Sequence, residues 1–167
     1  MNLYLLRHGI AVDPGTAGCE TDSERPLIPK GEHRLREAAA AMEKLELSFD
    51  LILSSPFIRA KQTAEIVAGE LKLKKRLKFS DELAPGGSSK ALIQKLSGWE
   101  PSPENVLLVG HEPGLSRLVS RLVSGGADAA IEMKKGGLCK LEAGELRHGR
   151  CARLAWLLTP SQMELMG

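Results

Sequence analysis

The chain has 167 residues, of which 43% are hydrophobic and 26% charged, and its formal net charge is +2 at pH 7. These values are ordinary for a soluble globular protein and exclude the disordered, fibrous and membrane classes. The length provides for one well-buried core and is too short for two ordinary domains, so we expect a single domain over residues 1–167.

Composition also limits the partners and the compartment. Aromatic residues make up 4% of the chain, whereas single-stranded nucleic acid is bound by basic and aromatic side chains together, so we predict no nucleic-acid partner. The three cysteines are odd in number and lack metal-ligand spacing, which favours a reducing, cytoplasmic setting. The apolar run at residues 3–6 is too short for a signal sequence or a membrane span, so we expect no membrane association.

Short strand-like apolar runs alternate with longer helix-like stretches, which predicts an α/β fold. In chain order the sequence predicts a strand at 3–6, a helix at 30–47, a strand at 51–53, a helix at 56–71, a strand at 76–79, a helix at 90–96, a strand at 106–109, a helix at 115–123, and two strands at 138–141 and 151–158. Ser55 is predicted to cap the second helix, with Pro56 at its first position. The pattern leaves the direction of the last two strands open, and the polar loop at 9–29 has the length of a functional loop.

Three of the predicted strands run directly into segments of catalytic residue types, which are Arg7-His8-Gly9, Ser54-Ser55-Pro56 and Gly110-His111-Glu112. In open α/β sheets, ligands bind beyond the carboxyl ends of the strands. If these strands are parallel neighbours, two arginines and two histidines converge, namely Arg7, Arg59, His8 and His111. Guanidinium groups match phosphate oxygens in bidentate geometry, so the pattern predicts a phosphate site.

The predicted cationic cluster also sets the state of the histidines. Nearby arginines should lower the histidine pKa values and leave His8 neutral, with the free lone pair that a nucleophile needs. The other ring nitrogen of His8 would donate to a backbone carbonyl, and His111 would donate to a phosphoryl oxygen in the transition state. Helices that begin after Pro56 and Pro113 would aim free N–H groups at the same point. The chain has no Walker motif, HExxH or aspartate cluster, so we predict neither a metal nor a cofactor.

These segments resemble the motifs of the histidine phosphatase superfamily, also called the phosphoglycerate mutase-like family. The matching segments are Leu6-Arg7-His8-Gly9, then Ser54-Ser55-Pro56 with Arg59-Ala60 and Gln62-Thr63-Ala64, then Gly110-His111-Glu112. The resemblance implies a three-layer sandwich with a mostly parallel central sheet and helices on both faces. It also implies that His8 is the phosphorylated nucleophile and that Arg7, Arg59 and His111 hold the phosphoryl group.

Further segments are similar to the SixA type of this family, whose members are phosphohistidine phosphatases that act on signalling proteins. They are Arg25-Pro26-Leu27, the stretch from Ser55 to Ala60, and the stretch from Glu82 to Gly86. The resemblance implies that Arg25 lies near the phosphate. It also implies a phosphorylated partner protein, a histidine-containing phosphotransfer domain.

One departure from the family bears on the substrate. Mutases and many phosphomonoesterases of the family have a Leu-x-Glu whose glutamate protonates the leaving alcohol, whereas here Leu83-Ala84 is followed by Pro85. An alkoxide needs that proton, while a phosphorylated imidazole leaves with less help, so the sequence favours a phosphoramidate over a sugar phosphate. Glu82 and Glu112 are candidates for a substitute acid or for contact with the substrate.

Three functions are compatible with this pattern. The first is removal of a phosphoryl group from a protein-borne phosphohistidine through a covalent intermediate on His8. The second is a phosphomonoesterase or mutase for small phosphorylated substrates, and the third is a non-catalytic module that binds phosphoproteins. The intact set of two arginines and two histidines favours an enzyme, and we expect a monomer.

Overall fold

A six-stranded mixed sheet lies at the centre of the protein, whose structure is a computed structural model that describes residues 1–167. The strands are β1 (Asn2–Arg7), β2 (Leu51–Ser54), β3 (Leu77–Phe79), β4 (Asn105–Gly110), β5 (Leu138–Ala143) and β6 (Ala152–Leu158). Their order in the sheet is β3-β2-β4-β1-β5-β6. Strands β3, β2, β4 and β1 are parallel neighbours, whereas β5 and β6 are antiparallel to the strands beside them.

Helices cover both faces of the sheet, as the family resemblance implies. They are α1 (Pro29–Lys44), α2 (Ile58–Glu70), α3 (Ser89–Ser97), α4 (Gly114–Ser124) and α5 (Pro160–Glu164). One buried cluster joins the sheet to α3 and α4, and a second joins it to α1, α2 and α5. The fold is therefore a three-layer α/β sandwich. None of these helices is both long and apolar enough to cross a membrane.

The alternation of side chains along β1 shows how the sequence builds two layers at once. Leu3 and Leu5 point into the cluster with α3 and α4, whereas Tyr4 and Leu6 point into the cluster with α1 and α2. Successive residues of a strand face opposite sides of the sheet. A central parallel strand that is buried on both faces therefore has to be apolar at every position, which is why β1, β2 and β4 are short continuous apolar runs.

The structure also corrects two local predictions. Helix α2 begins at Ile58 with Phe57 as its N-cap, so Ser55 does not cap it and Pro56 is not its first residue. The chain needs one more turn after β2 before it can start the helix. Apolar periodicity does not predict the short helix α5, because α5 has a single buried residue, Met163.

Helix α1 packs directly on the backbone that follows the first motif. A Cβ atom on Gly31 would lie 2.2 Å from the carbonyl oxygen of Ile10, so only glycine allows this approach. The amide of Ile28 also donates to that carbonyl at 2.9 Å. The segment after His8 is therefore fixed against the first turn of α1.

We expect Gly31→Ala to destabilise the protein by about 2 kcal/mol, because the added methyl group forces α1 away from Ile10. Urea unfolding measures the change. Gly69→Ala in α2 is the matched control, since a Cβ there meets only the flexible end of Lys74 at 3.3 Å. Without a steric conflict, alanine in a helix is favoured over glycine by about 1 kcal/mol. Equal effects of the two substitutions would contradict the packing argument.

Candidate active site

The parallel register of the sheet brings three strand ends together. Strand β4 lies between β1 and β2, with Arg7 opposite Gly110 and Ser54 opposite Val109. The residues that follow β1 and β4 are therefore neighbours at the carboxyl edge, and the rings of His8 and His111 lie with their centroids 5.0 Å apart.

Arg59 completes the group from the first turn of α2. Its Nε atom donates to Nε2 of His8 at 3.3 Å, and its side chain is almost fully buried. Its carbonyl oxygen accepts a 2.6 Å hydrogen bond from the Thr63 hydroxyl, which in turn accepts from the amide of Gly9 at 3.0 Å. Thr63 thus ties the helix that carries Arg59 to the segment that carries His8.

The hydrogen bonds of His8 define its tautomer. Nδ1 lies 2.7 Å from the carbonyl oxygen of Gly9, and a ring nitrogen that faces a carbonyl must be the donor. Nε2 therefore carries the lone pair, and it faces the donor Nε of Arg59. This arrangement matches the requirement for a nitrogen nucleophile, which is one free nitrogen on a ring held by the other.

Both histidines are held in the neutral form. Burial lowers the pKa of His8 from 6.5 to about 3, although the hydrogen bond to Gly9 works in the opposite direction. Burial likewise lowers the pKa of His111 from 6.5 to about 4, with Arg59 as the next cause. The sequence predicted the direction of both shifts. It attributed them to the arginines, whereas desolvation is the larger cause.

His111 has a partner that the sequence reasoning assigned to another role. Its Nε2 lies 2.9 Å from the Ser55 hydroxyl oxygen, which also accepts from the amide of Phe57 at 3.3 Å. The Ser55 hydroxyl can donate to Nε2, and Nδ1 is the protonated nitrogen of His111 when it does. The position of Ser55 directly after β2 was the available signal for this role.

Two buried nitrogen atoms at the site have no hydrogen-bond partner, and these are Nε of Arg7 and Nδ1 of His111. The other end of the Arg7 guanidinium is anchored, since Nη1 donates to the carbonyl oxygen of Met133 at 2.7 Å. An unpaired buried donor costs roughly 1–3 kcal/mol. An anionic oxygen that accepts from both groups would remove that cost.

Asp22 is the residue of the site that sequence reasoning missed. Its carboxylate bridges two guanidinium groups, with Oδ2 at 2.8 Å from Nη2 of Arg59 and Oδ1 at 2.6 Å from Nη1 of Arg25. Arg25 also donates from Nε to the carbonyl oxygen of Val12 at 2.9 Å. The structure thus places Arg25 beside the site and joins it to Arg59 through Asp22. The length of the loop at 9–29 was the only signal in the sequence.

Glu82 and Glu112 line a pocket of about 340 Å³ that also includes His111 and Pro85. The carboxylate of Glu82 accepts from Nζ of Lys95 at 2.7 Å and from the Ser80 hydroxyl. These hydrogen bonds lower the pKa of Glu82 to about 2. A carboxylate with this pKa is ionised near neutral pH, which weighs against Glu82 as a general acid, and its contact with the substrate stays a prediction.

The side chain of Glu112 accepts hydrogen bonds from the first turn of α4. Its Oε1 atom accepts from the amide of Ser116 at 3.1 Å, and its Oε2 atom accepts from the Ser116 hydroxyl at 2.5 Å. A carboxylate at a helix N-terminus satisfies free N–H groups and interacts favourably with the helix dipole. Burial lowers the pKa of Arg7, and the charge of Glu112 opposes part of that shift. No cluster of three or more His, Cys, Asp or Glu side chains has the arrangement of a metal site.

Comparison with known proteins identifies the family. Residues 3–84 match the histidine phosphatase superfamily, branch 1. The chain is also 31% identical over 128 residues to the phosphohistidine phosphatase SixA of Escherichia coli, covering 75% of this chain and 76% of that protein. The chain belongs to the histidine phosphatase superfamily.

Two further comparisons agree with this assignment. An uncharacterised protein of Picosynechococcus is 39% identical over 148 residues, which is 88% of each chain. The structure of the protein histidine phosphatase SixA complexed with tungstate superposes with a TM-score of 0.84 at 26% identity, covering 96% of this chain and 98% of that one. The chain is therefore a histidine-type phosphatase, a hydrolase, of the SixA type.

We expect the rings of His8 and His111 to remain neutral down to about pH 5 in buffer without phosphate, because burial disfavours the imidazolium form. NMR titration of the ring protons, with the signals assigned through His8→Asn and His111→Asn, checks this. The unfolded chain takes up these protons near pH 6.5, so the stability that the neutral rings contribute is present above that pH and is lost as the pH falls through about 4 and about 3. A ring that titrates near its ordinary pKa would contradict the burial argument.

Proposed function

We propose that this protein removes the phosphoryl group from a phosphohistidine carried by another protein, through a covalent phosphohistidine at Nε2 of His8. The observation that carries the proposal is the fixed tautomer of His8, whose Nδ1 donates to Gly9 while Nε2 carries the lone pair that attacks once the contact with Nε of Arg59 is given up. The similarity to the phosphohistidine phosphatase SixA of E. coli supports the choice of substrate.

In the first step, the lone pair of His8 Nε2 forms a bond to phosphorus while the P–N bond of the substrate breaks. The electron pair of that bond stays on the leaving imidazole, which departs neutral if its second nitrogen already carries a proton. His8 becomes a cationic phosphoimidazole, and the Gly9 carbonyl oxygen stabilises the charge at Nδ1. Arg7, Arg59 and Nδ1 of His111 would donate to the oxygens of the phosphoryl group in flight.

In the second step, water attacks phosphorus and the P–N bond to His8 breaks. The electron pair returns to Nε2, so His8 leaves as the neutral tautomer from which it started, and the water proton passes to phosphate or solvent. Neither step requires a protonated carboxyl group. This fits a site in which Glu82 is held in the ionised form and Pro85 lies in the pocket beside His111.

The pocket beside His111 is suited to the leaving imidazole and its neighbouring side chains. Leu92 and Leu115 are among its apolar lining residues, and Arg117 also lines it. A phosphohistidine presented on the surface of a phosphotransfer domain would place its ring here. We propose that the chain acts on such a domain as a monomer in the cytoplasm, with Arg25 contributing to the charge that attracts the phosphoryl group.

The decisive experiment compares two substrates with one enzyme. We expect a phosphorylated histidine-containing phosphotransfer domain to lose its label rapidly with the native protein and to keep it with His8→Ala, because the nucleophile is then absent. A panel of phosphomonoesters, including p-nitrophenyl phosphate, should turn over poorly. The intermediate should be trapped on His8 by a rapid quench that avoids acid.

Retention of label by the native protein at enzyme excess would count against the proposal. Rapid turnover of phosphomonoesters would instead favour the small-molecule phosphatase, and phosphate binding without turnover of either class would favour a binding module. The folded state of His8→Ala is checked by its thermal unfolding.

Removal of the glutamate charges separates the two enzyme classes further. We expect Glu82→Gln and Glu112→Gln to change the rate on the phosphohistidine protein by less than about threefold, since neither supplies a proton to an imidazole leaving group. A general acid for an alkoxide would be worth about 10²–10⁴ in rate. A loss of rate by about 10²–10⁴ in Glu112→Gln, with unchanged thermal stability, would identify Glu112 as the acid of a phosphomonoesterase.

A further inference from the structure

The carboxylate of Asp22 accepts hydrogen bonds in the way a phosphoryl group would. Its two oxygens accept from two different guanidinium groups, Arg59 at 2.8 Å and Arg25 at 2.6 Å. Paired anionic oxygens facing guanidinium donors are the geometry in which arginine binds phosphate. A side chain of the protein thus takes up donors that an incoming phosphoryl group needs.

The contacts of Arg59 show how far its donors are already engaged. Nε faces Nε2 of His8 at 3.3 Å, Nη1 donates to the carbonyl oxygen of Asp22 at 2.5 Å, and Nη2 donates to the carboxylate of Asp22. Three of the five N–H groups of this guanidinium therefore already have an acceptor. A phosphoryl group bonded to Nε2 of His8 takes the place of the Nε contact, and it meets the negative charge of Asp22 at the remaining donors.

Arg59 does not depend on the carboxylate of Asp22 for its position. Its side chain is 5% exposed, and its guanidinium lies 5.5 Å from the ring centroid of Phe57. The hydrogen bonds to His8 and to the Asp22 carbonyl oxygen would remain if the side-chain charge were removed. The negative charge of Asp22 therefore mainly opposes a second anion at the same donors.

The carboxylate of Asp22 is free to move away from the two guanidinium groups. Its side chain is 51% exposed, and it lies in a short 3₁₀ turn, Asp22–Glu24, within the loop after β1. The base of that loop is tied down separately, by a bridge between Ala11 and Leu27 and by the side chain of Gln62, which accepts from the amide of Leu27 at 2.8 Å. The carboxylate can therefore move out toward solvent without opening the sheet or α2.

We propose that the carboxylate of Asp22 competes with the phosphoryl group for Arg59, and so lowers the affinity of the resting site for phosphate. This proposal rests on the proposed function only in that a phosphoryl group is taken as the ligand of Arg59. Release of inorganic phosphate after each turnover is the step that such competition assists, because the carboxylate returns to the donors that the product leaves. The charge of Asp22 also extends to His111, where it opposes the lowering of the pKa by burial and by Arg59.

The test is the affinity for inorganic phosphate, measured by calorimetry on the full chain. We expect Asp22→Asn and Asp22→Ser to bind phosphate about tenfold more tightly than the native protein, because one negative charge near a dianion is removed. The gain should shrink as ionic strength rises. Asp13→Asn is the matched control, since it removes the same charge from the exposed part of the same loop, where Asp13 has no side-chain contact with either arginine.

The direction of the change in phosphate affinity tests the proposal. If Asp22 only positioned Arg59, both substitutions would weaken phosphate binding, and that result would overturn the proposal. A change no larger than that of Asp13→Asn would also overturn it. Thermal unfolding of each variant separates loss of fold from loss of affinity. Phosphate binding needs no turnover, so these outcomes stay distinct from a failure of the phosphohistidine assay.

Discussion

The hydrogen bond between Nδ1 of His8 and the carbonyl oxygen of Gly9, at 2.7 Å, is the interaction on which the chemistry of the site depends. It fixes the ring by an acceptor one residue away, so the tautomer is set within the motif itself. It also leaves Nε2 as the only nitrogen that can take a phosphoryl group. Once phosphorylated, the ring becomes cationic, and the same carbonyl oxygen changes from an orienting group to a stabilising one.

Burial keeps this nucleophile ready at neutral pH. A fully exposed histidine is partly protonated near pH 6.5 and would lose its lone pair in that fraction of molecules. In this protein the desolvation of His8 and His111 lowers both pKa values by more than the neighbouring arginines do. The arginines can therefore be placed for contact with the phosphoryl group, because the sheet and its covering helices already ensure a neutral nucleophile.

The sequence predicts the part of the fold that follows from local patterns. Strands β1, β2 and β4 are continuous apolar runs, so their existence and burial were readable, and with three motifs at their ends the convergence of His8 with His111 followed from topology. The direction of β5 and β6 was not readable, since alternation of side chains is the same in parallel and antiparallel strands. The start of α2 was misplaced because serine followed by proline is also found in the turn that precedes a helix.

Parts of the site could not be read because they depend on contacts between distant segments. Asp22 reaches Arg59 across 37 positions of the chain, and nothing near it distinguishes it from other loop carboxylates. Glu82 contacts Lys95, 13 positions away, and this contact holds the carboxylate in its charged form. In both cases the role of the carboxylate depends on which cationic side chain it contacts, and the fold determines that contact.

The first step of the proposed reaction replaces the P–N bond of the substrate by a P–N bond to His8. The second step replaces that bond by a P–O bond. The first transfer breaks and forms the same kind of bond, a P–N bond to an imidazole ring. Hydrolysis of the phosphorylated His8 then makes the sequence irreversible. A site for this reaction needs a well-oriented ring, donors for three phosphoryl oxygens and ready release of phosphate, and it does not need a carboxylic acid. The ionised Glu82, the capping role of Glu112 and the competition we propose for Asp22 are three uses of carboxylates in keeping with that need.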